Sequence, residues 1–111
     1  MKFLVLLYQD PSTFPTDAAG QAAQIAAYET YTQSVLATNS LLAGNPLVPM
    51  PDQVRTIALG ATKNGPPQAR TQALIGFYIL EFPSLDAAVA SARAIPAASV
   101  GSIEVVPYLD M

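Results

Sequence analysis

One segment, residues 73–82 (ALIGFYILEF), limits the possible folds more than any other, because it predicts a β-strand that is apolar on both faces. Its alternate residues form two rows, one with Ile75, Phe77 and Ile79 and the other with Leu74, Tyr78, Leu80 and Phe82. Residues 2–8 (KFLVLLY) are similarly apolar throughout. Strands of this kind lie in the interior of a sheet that is covered on both sides.

Helical and extended patterns alternate along the rest of the chain. Apolar residues at three- and four-residue steps predict a helix over about residues 17–39, with Thr16 as its N-cap. The predicted inward stripe of this helix is Ala18, Ala22, Ile25, Tyr28, Thr32, Val35 and Leu36. Ser84 is predicted to cap a second helix that Pro96 ends, with Leu85, Ala88, Val89, Ala92 and Ile95 on its stripe.

The remaining strands are weaker signals. Residues 53–59 (QVRTIAL) predict a modest strand, residues 60–67 (GATKNGPP) the reversal after it, and residues 102–106 a final strand. The proline-rich residues 39–52 predict a loop or a short irregular strand. This order predicts one α+β domain over residues 1–111, a ferredoxin-like βαββ(β)αβ sandwich with two helices on one face of an antiparallel sheet.

The second face of that sheet needs a cover, because the chain is 51% hydrophobic and only 12% charged. If three large side chains on this face each bury about 80 Å², the gain at roughly 25 cal/mol per Å² is about 6 kcal/mol. That gain is comparable to the whole stability of a domain. A second copy of the same sheet, related by a two-fold axis, is the simplest cover. The sequence therefore predicts a homodimer with packed sheets and a cavity between each sheet and its partner.

Composition excludes several classes of function. The net charge is −3 and the five cations are scattered, so no basic surface for nucleic acid is predicted. Neither histidine nor cysteine occurs, which argues against thiol chemistry and imidazole or thiolate metal sites, and we expect no metal and no cofactor. The apolar run near the N-terminus is too short for a signal peptide or a membrane span, which predicts a cytoplasmic protein without a membrane partner.

Three blocks of sequence resemble a known family. They are MKFLVLLYQD, NGPPQARTQALIGFYILEFPSLDAAVASARAIPAA and GSIEVVPYLD. The resemblance covers nearly the whole chain and is weakest over residues 44–63. Together they are similar to the YCII-related domain family, in the branch named for an Asp-Gly-Pro-Phe (DGPF) motif. The resemblance implies a dimeric α/β barrel of ferredoxin-like subunits. Functions in this family are mostly unassigned; some wider relatives are lyases or dehalogenases with a His-Asp pair, and some members of the branch are linked to sigma factors.

The chain departs from this family pattern at charged positions. The aspartate of the motif is Asn64, its phenylalanine is Pro67, and the arginine of the last strand is Val106. Without any histidine, the His-Asp chemistry of the wider family is impossible here. The motif survives as Asn-Gly-Pro-Pro, which predicts a turn that holds Gly65 at positive φ, or alternatively a stiff lid at the mouth of the cavity.

Seven side chains are candidates for lining the predicted cavity: Tyr8, Arg55, Asn64, Arg70, Tyr78, Glu81 and Glu104. Glu81 and Glu104 are the candidate general bases; Glu104 lies between Ile103 and Val105 and faces away from whatever those two residues contact. Arg55 and Arg70 flank the turn and can hold an anionic group. These residues also have purely structural explanations: Glu81 can form an ion pair at the rim, the arginines can lie on a solvated surface, and the tyrosines can pack in the core.

These observations predict a homodimeric protein that binds a small apolar or anionic molecule. One alternative is a small enzyme of the lyase, isomerase or monooxygenase-like type, in which a carboxylate removes a proton and an arginine stabilises the resulting enolate. The other is a regulatory adaptor linked to sigma-factor control, which requires an apolar patch that stays exposed after dimerisation.

Overall fold

The computed structural model describes residues 1–68 and 70–110. Within these residues the strands are β1 Lys2–Gln9, β2 Leu41–Pro46, β3 Arg55–Ala58, β4 Ala61–Asn64, β5 Ala73–Glu81 and β6 Ser102–Pro107. The helices are α1 Ala18–Ala37, α2 Leu85–Ala92 and the short α3 Ala97–Val100, with 3₁₀ turns at Pro11–Thr13 and Pro51–Gln53.

The main sheet has the strand order β2-β5-β1-β6, and all of its neighbouring strands are antiparallel. The strands β3 and β4, which come between β2 and β5 in the sequence, form a separate two-stranded hairpin outside this sheet. This arrangement confirms the predicted α+β class, and the two most apolar strands, β1 and β5, are the central neighbours. Their register pairs Phe3 with Leu80 and Val5 with Tyr78.

The helices cover one face of this sheet. Phe3, Val5 and Leu80 on that face are completely buried, because α1 and the α2–α3 segment pack over them. The helical side of the core consists of Tyr31, Val35, Ala88, Ala92, Ile95 and Ala97. Apolar burial of this extent is the main stabilising contribution to a domain of this size.

None of the helices in the described residues covers the other face of the sheet, which we call the open face. Its centre consists of Leu4, Leu6, Phe77 and Ile79, which pair across β1 and β5 and are only partly buried. At its β6 edge, Val106 pairs with Leu4 and Glu104 pairs with Leu6. The predicted apolar second face is therefore present in the chain.

A β-bulge changes one detail of the predicted faces. The pairing passes from Leu7–Gly76 directly to Tyr8–Leu74, so Ile75 is an extra residue on β5. Ile75 consequently packs against the helix-side core, whereas the sequence placed it on the face of Phe77 and Ile79. Leu74 changes sides for the same reason, because it now pairs with Tyr8 on the open face.

The helices begin and end slightly differently from the prediction. Asp17, not Thr16, caps α1, since its carboxylate accepts a hydrogen bond from the backbone N–H of Gly20 at 3.0 Å. Ser84 caps α2 as predicted. The predicted single helix up to Pro96 is in fact α2, ending at Ala92, followed by a turn and then by α3.

The predicted stripe of α1 was wrong in part. Tyr31 and Val35 are its buried residues, whereas Ile25 and Leu36 are exposed. The stripe was chosen by spacing alone, and it lies about one position away from the face that contacts the sheet. On α2, Leu85 is likewise exposed while Ala88 and Ala92 are buried.

The hairpin replaces the reversal predicted over residues 60–67. Leu59 and Gly60 have positive φ and form a tight turn, and residues 61–64 continue as a strand rather than a loop. Leu59 and Ile57 near this turn are among the most exposed apolar residues of the chain. Residues 41–46, predicted as a loop or short strand, are the edge strand β2, and Pro46 stands at its end.

In the described part of the chain, none of the helices has the length and apolar character that crossing a bilayer requires.

Candidate functional site

A cavity of about 700 Å³ lies between α1 and the β2–β5 side of the sheet. Its walls are one side of α1, the segment Phe14–Pro15, residues 44–47 with Pro49, and the stretch of β5 from Ile75 to Tyr78. The volume falls in the range of roughly 300–1,000 Å³ that small-molecule sites occupy. The cavity is on the helix-covered side of the sheet and is formed within a single chain.

Two glycines make room in the floor of this cavity. A Cβ atom added to Gly44 would lie 2.7 Å from Cδ1 of Tyr78, and one added to Gly76 would lie 3.2 Å from the carbonyl oxygen of Asn45. The first contact would require the Tyr78 ring to move, and the second is tighter than most Cβ contacts in proteins, so both positions favour glycine. The α1 residues above them include Gln24 and Tyr28, which are only partly buried.

Tyr78 supplies a fixed hydroxyl in the cavity wall. Its oxygen lies 3.2 Å from Oγ1 of Thr32, and its ring meets the ring of Tyr31 edge-to-face with centroids 5.3 Å apart. The hydroxyl of Tyr31 is itself 2.9 Å from Oγ of Ser91 on α2. These contacts hold the Tyr78 ring in one orientation, as a binding site requires.

Tyr28 contributes a second aromatic wall. Its hydroxyl oxygen is buried close to the backbone of Ala97, which favours the ionised form, but within the described residues it makes no hydrogen bond of normal geometry. Burial raises the pKa of Tyr28 above its ordinary value, and the neighbouring Tyr78 raises it further. Burial also raises the pKa of Tyr31. Both hydroxyls are therefore neutral hydrogen-bonding groups at physiological pH.

Three of the predicted site residues come together elsewhere, on the open face. The guanidinium carbon of Arg70 lies 5.3 Å from the ring centroid of Tyr8, a cation–π geometry. Glu104 is on the same face, and burial together with this carboxylate raises the pKa of Tyr8, against the opposing effect of Arg70. We call Tyr8, Arg70 and Glu104 the open-face cluster.

The other predicted residues lie apart from both places. Arg55 is on the hairpin, where its Nη1 donates to the carbonyl oxygens of Asp52 at 2.7 Å and Val54 at 3.0 Å. Asn64 ends β4, and Glu81 is an exposed residue at the end of β5, opposite Lys2. Arg55 and Arg70 thus have different partners. Of the seven predicted residues, Tyr78 alone is among those that line the helix-side cavity.

The Gly-Pro-Pro segment is a turn at the base of the hairpin. Gly65 has φ of +92°, and its N–H donates to the carbonyl of Val54 at 2.7 Å. Residues 65–67 do not contribute to the walls of the helix-side cavity. The chamber predicted between the sheet and a partner copy, and a lid over it, remain predictions.

Sequence reasoning missed the residues that build the helix-side cavity. Tyr28 and Thr32 were assigned to helix packing, and Gly44 and Gly76 were not singled out as floor residues. One available signal was Thr32, a polar residue within an otherwise apolar stripe. In the part of the chain that the structure covers, no group of three or more His, Cys, Asp and Glu side chains is placed to hold a metal ion.

Comparison with known proteins identifies the family. The family model for the YCII-related domain matches residues 1–111. No curated protein is similar enough in sequence to count as a relative. Among solved structures, the chain is similar in fold to 5-chloro-2-hydroxyhydroquinone dehydrochlorinase from Burkholderia phenoliruptrix in complex with 2,5-dihydroxybenzoquinone. The TM-score is 0.59 at 16% identity, covering 98% of this chain and 94% of that one.

Proposed function

Because the chain belongs to the YCII-related domain family, we propose that it is a homodimeric protein that binds a small, largely apolar molecule in the helix-side cavity. The observation that carries this proposal is the cavity itself, about 700 Å³ with a glycine floor and the fixed Tyr78 hydroxyl. A mostly apolar pocket with a few placed polar groups is the usual form of a ligand site. The solved structure of similar fold is a complex with a small ring-shaped molecule, 2,5-dihydroxybenzoquinone, which supports a small molecule as the ligand class.

The shape of the chain supports the homodimer. One chain exposes 7289 Å², whereas a compact monomer of this mass exposes about 5,900 Å². Its radius of gyration is 15.2 Å, against about 13 Å for a compact domain of this length. The excess area exceeds the ~800 Å² that each partner buries in a standard interface. Pairing of two open faces through a two-fold axis would cover Leu4, Leu6, Phe77 and Ile79 in both copies.

Binding in the cavity is tested with indole-3-ethanol, a neutral aromatic alcohol. The chain contains no tryptophan, so the indole fluorescence reports the probe alone. We expect saturable binding of one probe per chain. Gln24→Phe places a larger side chain in the cavity wall and weakens binding at least about fivefold. The control is Ala26→Phe, on an exposed position of the same helix outside the cavity walls.

An unchanged affinity in Ala26→Phe together with a weakened one in Gln24→Phe places the probe in the cavity. The proposal fails if the wild-type protein shows no saturable binding, or if both variants bind as the wild type does.

The open-face cluster favours an enzyme as the second candidate. Glu104 and Arg70 stand on either side of Tyr8, so a carboxylate base and a cation for an enolate are near one another. Glu81, in contrast, is an exposed residue that pairs with Lys2 at the end of β5. The assay is chloride release from 5-chloro-2-hydroxyhydroquinone, the compound named for the similar structure. The enzyme would be favoured if the wild type releases chloride, the Glu104→Gln variant does not, and the Glu81→Gln variant still does.

Two further points concern the branch of the family and a third candidate function. We propose that the chain belongs to the DGPF branch of the family, because the Asn-Gly-Pro-Pro sequence at residues 64–67 resembles a degenerate form of the Asp-Gly-Pro-Phe motif. A regulatory adaptor for sigma-factor control needs an apolar patch outside the dimer interface, and Ile57 with Leu59 on the hairpin offers one, 74% and 108% exposed. The patch is small, and the helix-side cavity is the larger feature, which is why we place ligand binding first.

A further inference from the structure

The charge of the cavity wall limits which molecules it accepts. Among the described residues that form the wall, Glu29 is the one charged side chain. None of the five cations of the chain, Lys2, Arg55, Lys63, Arg70 and Arg93, forms part of this wall. Arg55 donates to carbonyls of its own loop, Lys63 donates to the carbonyl of Pro67 at 2.6 Å, and Arg70 lies over the ring of Tyr8. An anion entering the cavity would therefore meet a carboxylate and no opposite charge.

The uncharged groups of the cavity wall also favour a cationic ligand over an anionic one. Phe14, Tyr28 and Tyr78 offer aromatic rings, whose faces attract cations and repel anions. The side chains of Gln24 and Thr32 add neutral polar groups that can accept hydrogen bonds from an ammonium group or a hydroxyl. Burial keeps the nearby Tyr28 hydroxyl protonated and uncharged, so it adds no charge of its own.

We propose that the helix-side cavity selects aromatic molecules that carry an amine, binding them as ammonium ions beside Glu29, over neutral analogues and over carboxylates. This inference rests on the proposed function, since it names the ligand class of the same cavity. The sequence predicted an apolar or anionic ligand; this inference replaces the anionic alternative, which depended on Arg55 and Arg70, because neither residue forms part of the cavity wall.

Three probes with the same ring test the charge preference. Tryptamine, indole-3-ethanol and indole-3-acetate carry a positive charge, no charge and a negative charge at neutral pH, and all three fluoresce against a protein without tryptophan. Coulomb interaction with one carboxylate at a solvent-accessible site predicts that tryptamine binds about tenfold more tightly than indole-3-acetate, with indole-3-ethanol between them. The difference should shrink as salt is added.

The matched variant is Glu29→Gln, which keeps the shape of the side chain and removes its charge. We expect tryptamine to bind more weakly, indole-3-acetate more tightly and indole-3-ethanol as before, so that the tenfold difference largely disappears. Asp86→Asn is the control, because it removes the same charge from α2, at an exposed position outside the cavity wall.

The possible results separate this inference from the proposed function. Equal affinities for the three probes, or a preference that Glu29→Gln leaves intact, overturn the ammonium selectivity while Gln24→Phe still reports on cavity binding. A preference lost equally in Asp86→Asn also overturns it, because the effect would then come from net charge. The absence of saturable binding by any of the three probes contradicts both proposals together.

Discussion

The two faces of the sheet are built from nearly the same kinds of residue but differ in what covers them. On the helix-covered face, Phe3, Val5 and Leu80 are 0% exposed. On the open face, Leu4 and Ile79 occupy the adjacent positions of the same strands and remain partly exposed. Alternate side chains of the same strands are therefore completely buried on one face and partly exposed on the other.

The faces also differ in where polar groups stand. On the helix-covered face, the polar atoms of Thr32 and Tyr78 line a cavity that is formed within one chain and is partly open to solvent. On the open face, Tyr8, Arg70 and Glu104 stand at one side of a flat apolar surface, where only a second copy could enclose them. Because its walls come from one chain, the proposed ligand binding in the cavity does not require a partner, whereas an enclosed site at the open-face cluster would require one.

The largest expected effect comes from placing a charge in the middle of the open face. In Leu4→Asp, each homodimer would bury two carboxylates without partners, so we expect the dissociation constant to rise about a thousandfold or more. Light scattering should show the single chain, and the binding of indole-3-ethanol should persist. Ile57→Asp is the control, because Ile57 is on the hairpin and 74% exposed. A dimer that survives Leu4→Asp unchanged would contradict the interface.

Two neighbouring residues of β5 distinguish burial within one chain from burial in the proposed dimer interface. Leu80→Ala removes a fully buried side chain and should lower the free energy of unfolding by about 2–5 kcal/mol at every protein concentration. Ile79→Ala acts on the open face, so its destabilisation should depend on concentration, being largest where the dimer dominates. Urea unfolding at low and high protein concentration measures both. The same concentration dependence in the two variants would remove the distinction between the faces.

The smallest expected effect concerns alkaline pH. Burial raises the pKa values of Tyr28 and Tyr31 above the 10.0 of the unfolded chain, so folding stabilises their protonated forms. This contribution is fully present below pH 10 and is lost as the pH rises through the folded pKa values. The free energy of unfolding should thus decrease above pH 10. Tyr31→Phe removes the hydrogen bond to Ser91, so we expect its free energy of unfolding to be about 1 kcal/mol lower at neutral pH. Above pH 10, the free energy of unfolding of this variant should decrease less steeply than that of the wild type. An alkaline slope equal to that of the wild type would contradict the role given to Tyr31.

Much of the fold could be predicted because the central strands carry their own signal. The apolar rows of β1 and β5 fix them as neighbours, and Ser84 marks the start of α2, whereas Pro96 lies beyond the end of this helix at Ala92. The bulge at Ile75 could not be predicted, because it depends on how β5 pairs with β1 and not on its own composition. The face of α1 was misjudged because alanines give a weak periodic signal, and packing then decides the rotation of the helix.

The candidate site was less accessible to prediction from the sequence. Tyr78 was found because it stands in a strong strand, but its partner Thr32 is 46 residues away, and nothing local links the two. Gly44 and Gly76 signal close packing by a missing side chain, which does not by itself indicate a cavity. Charge drew attention to Arg55 and Glu81, which the fold places on the hairpin and at a strand end.

The central claim is that the open face is an interface between two copies of this chain. Light scattering on the wild-type protein across the micromolar range tests it most directly. The account predicts a particle of twice the 11.7 kDa mass of one chain at all of these concentrations. A stable particle of 11.7 kDa would contradict it.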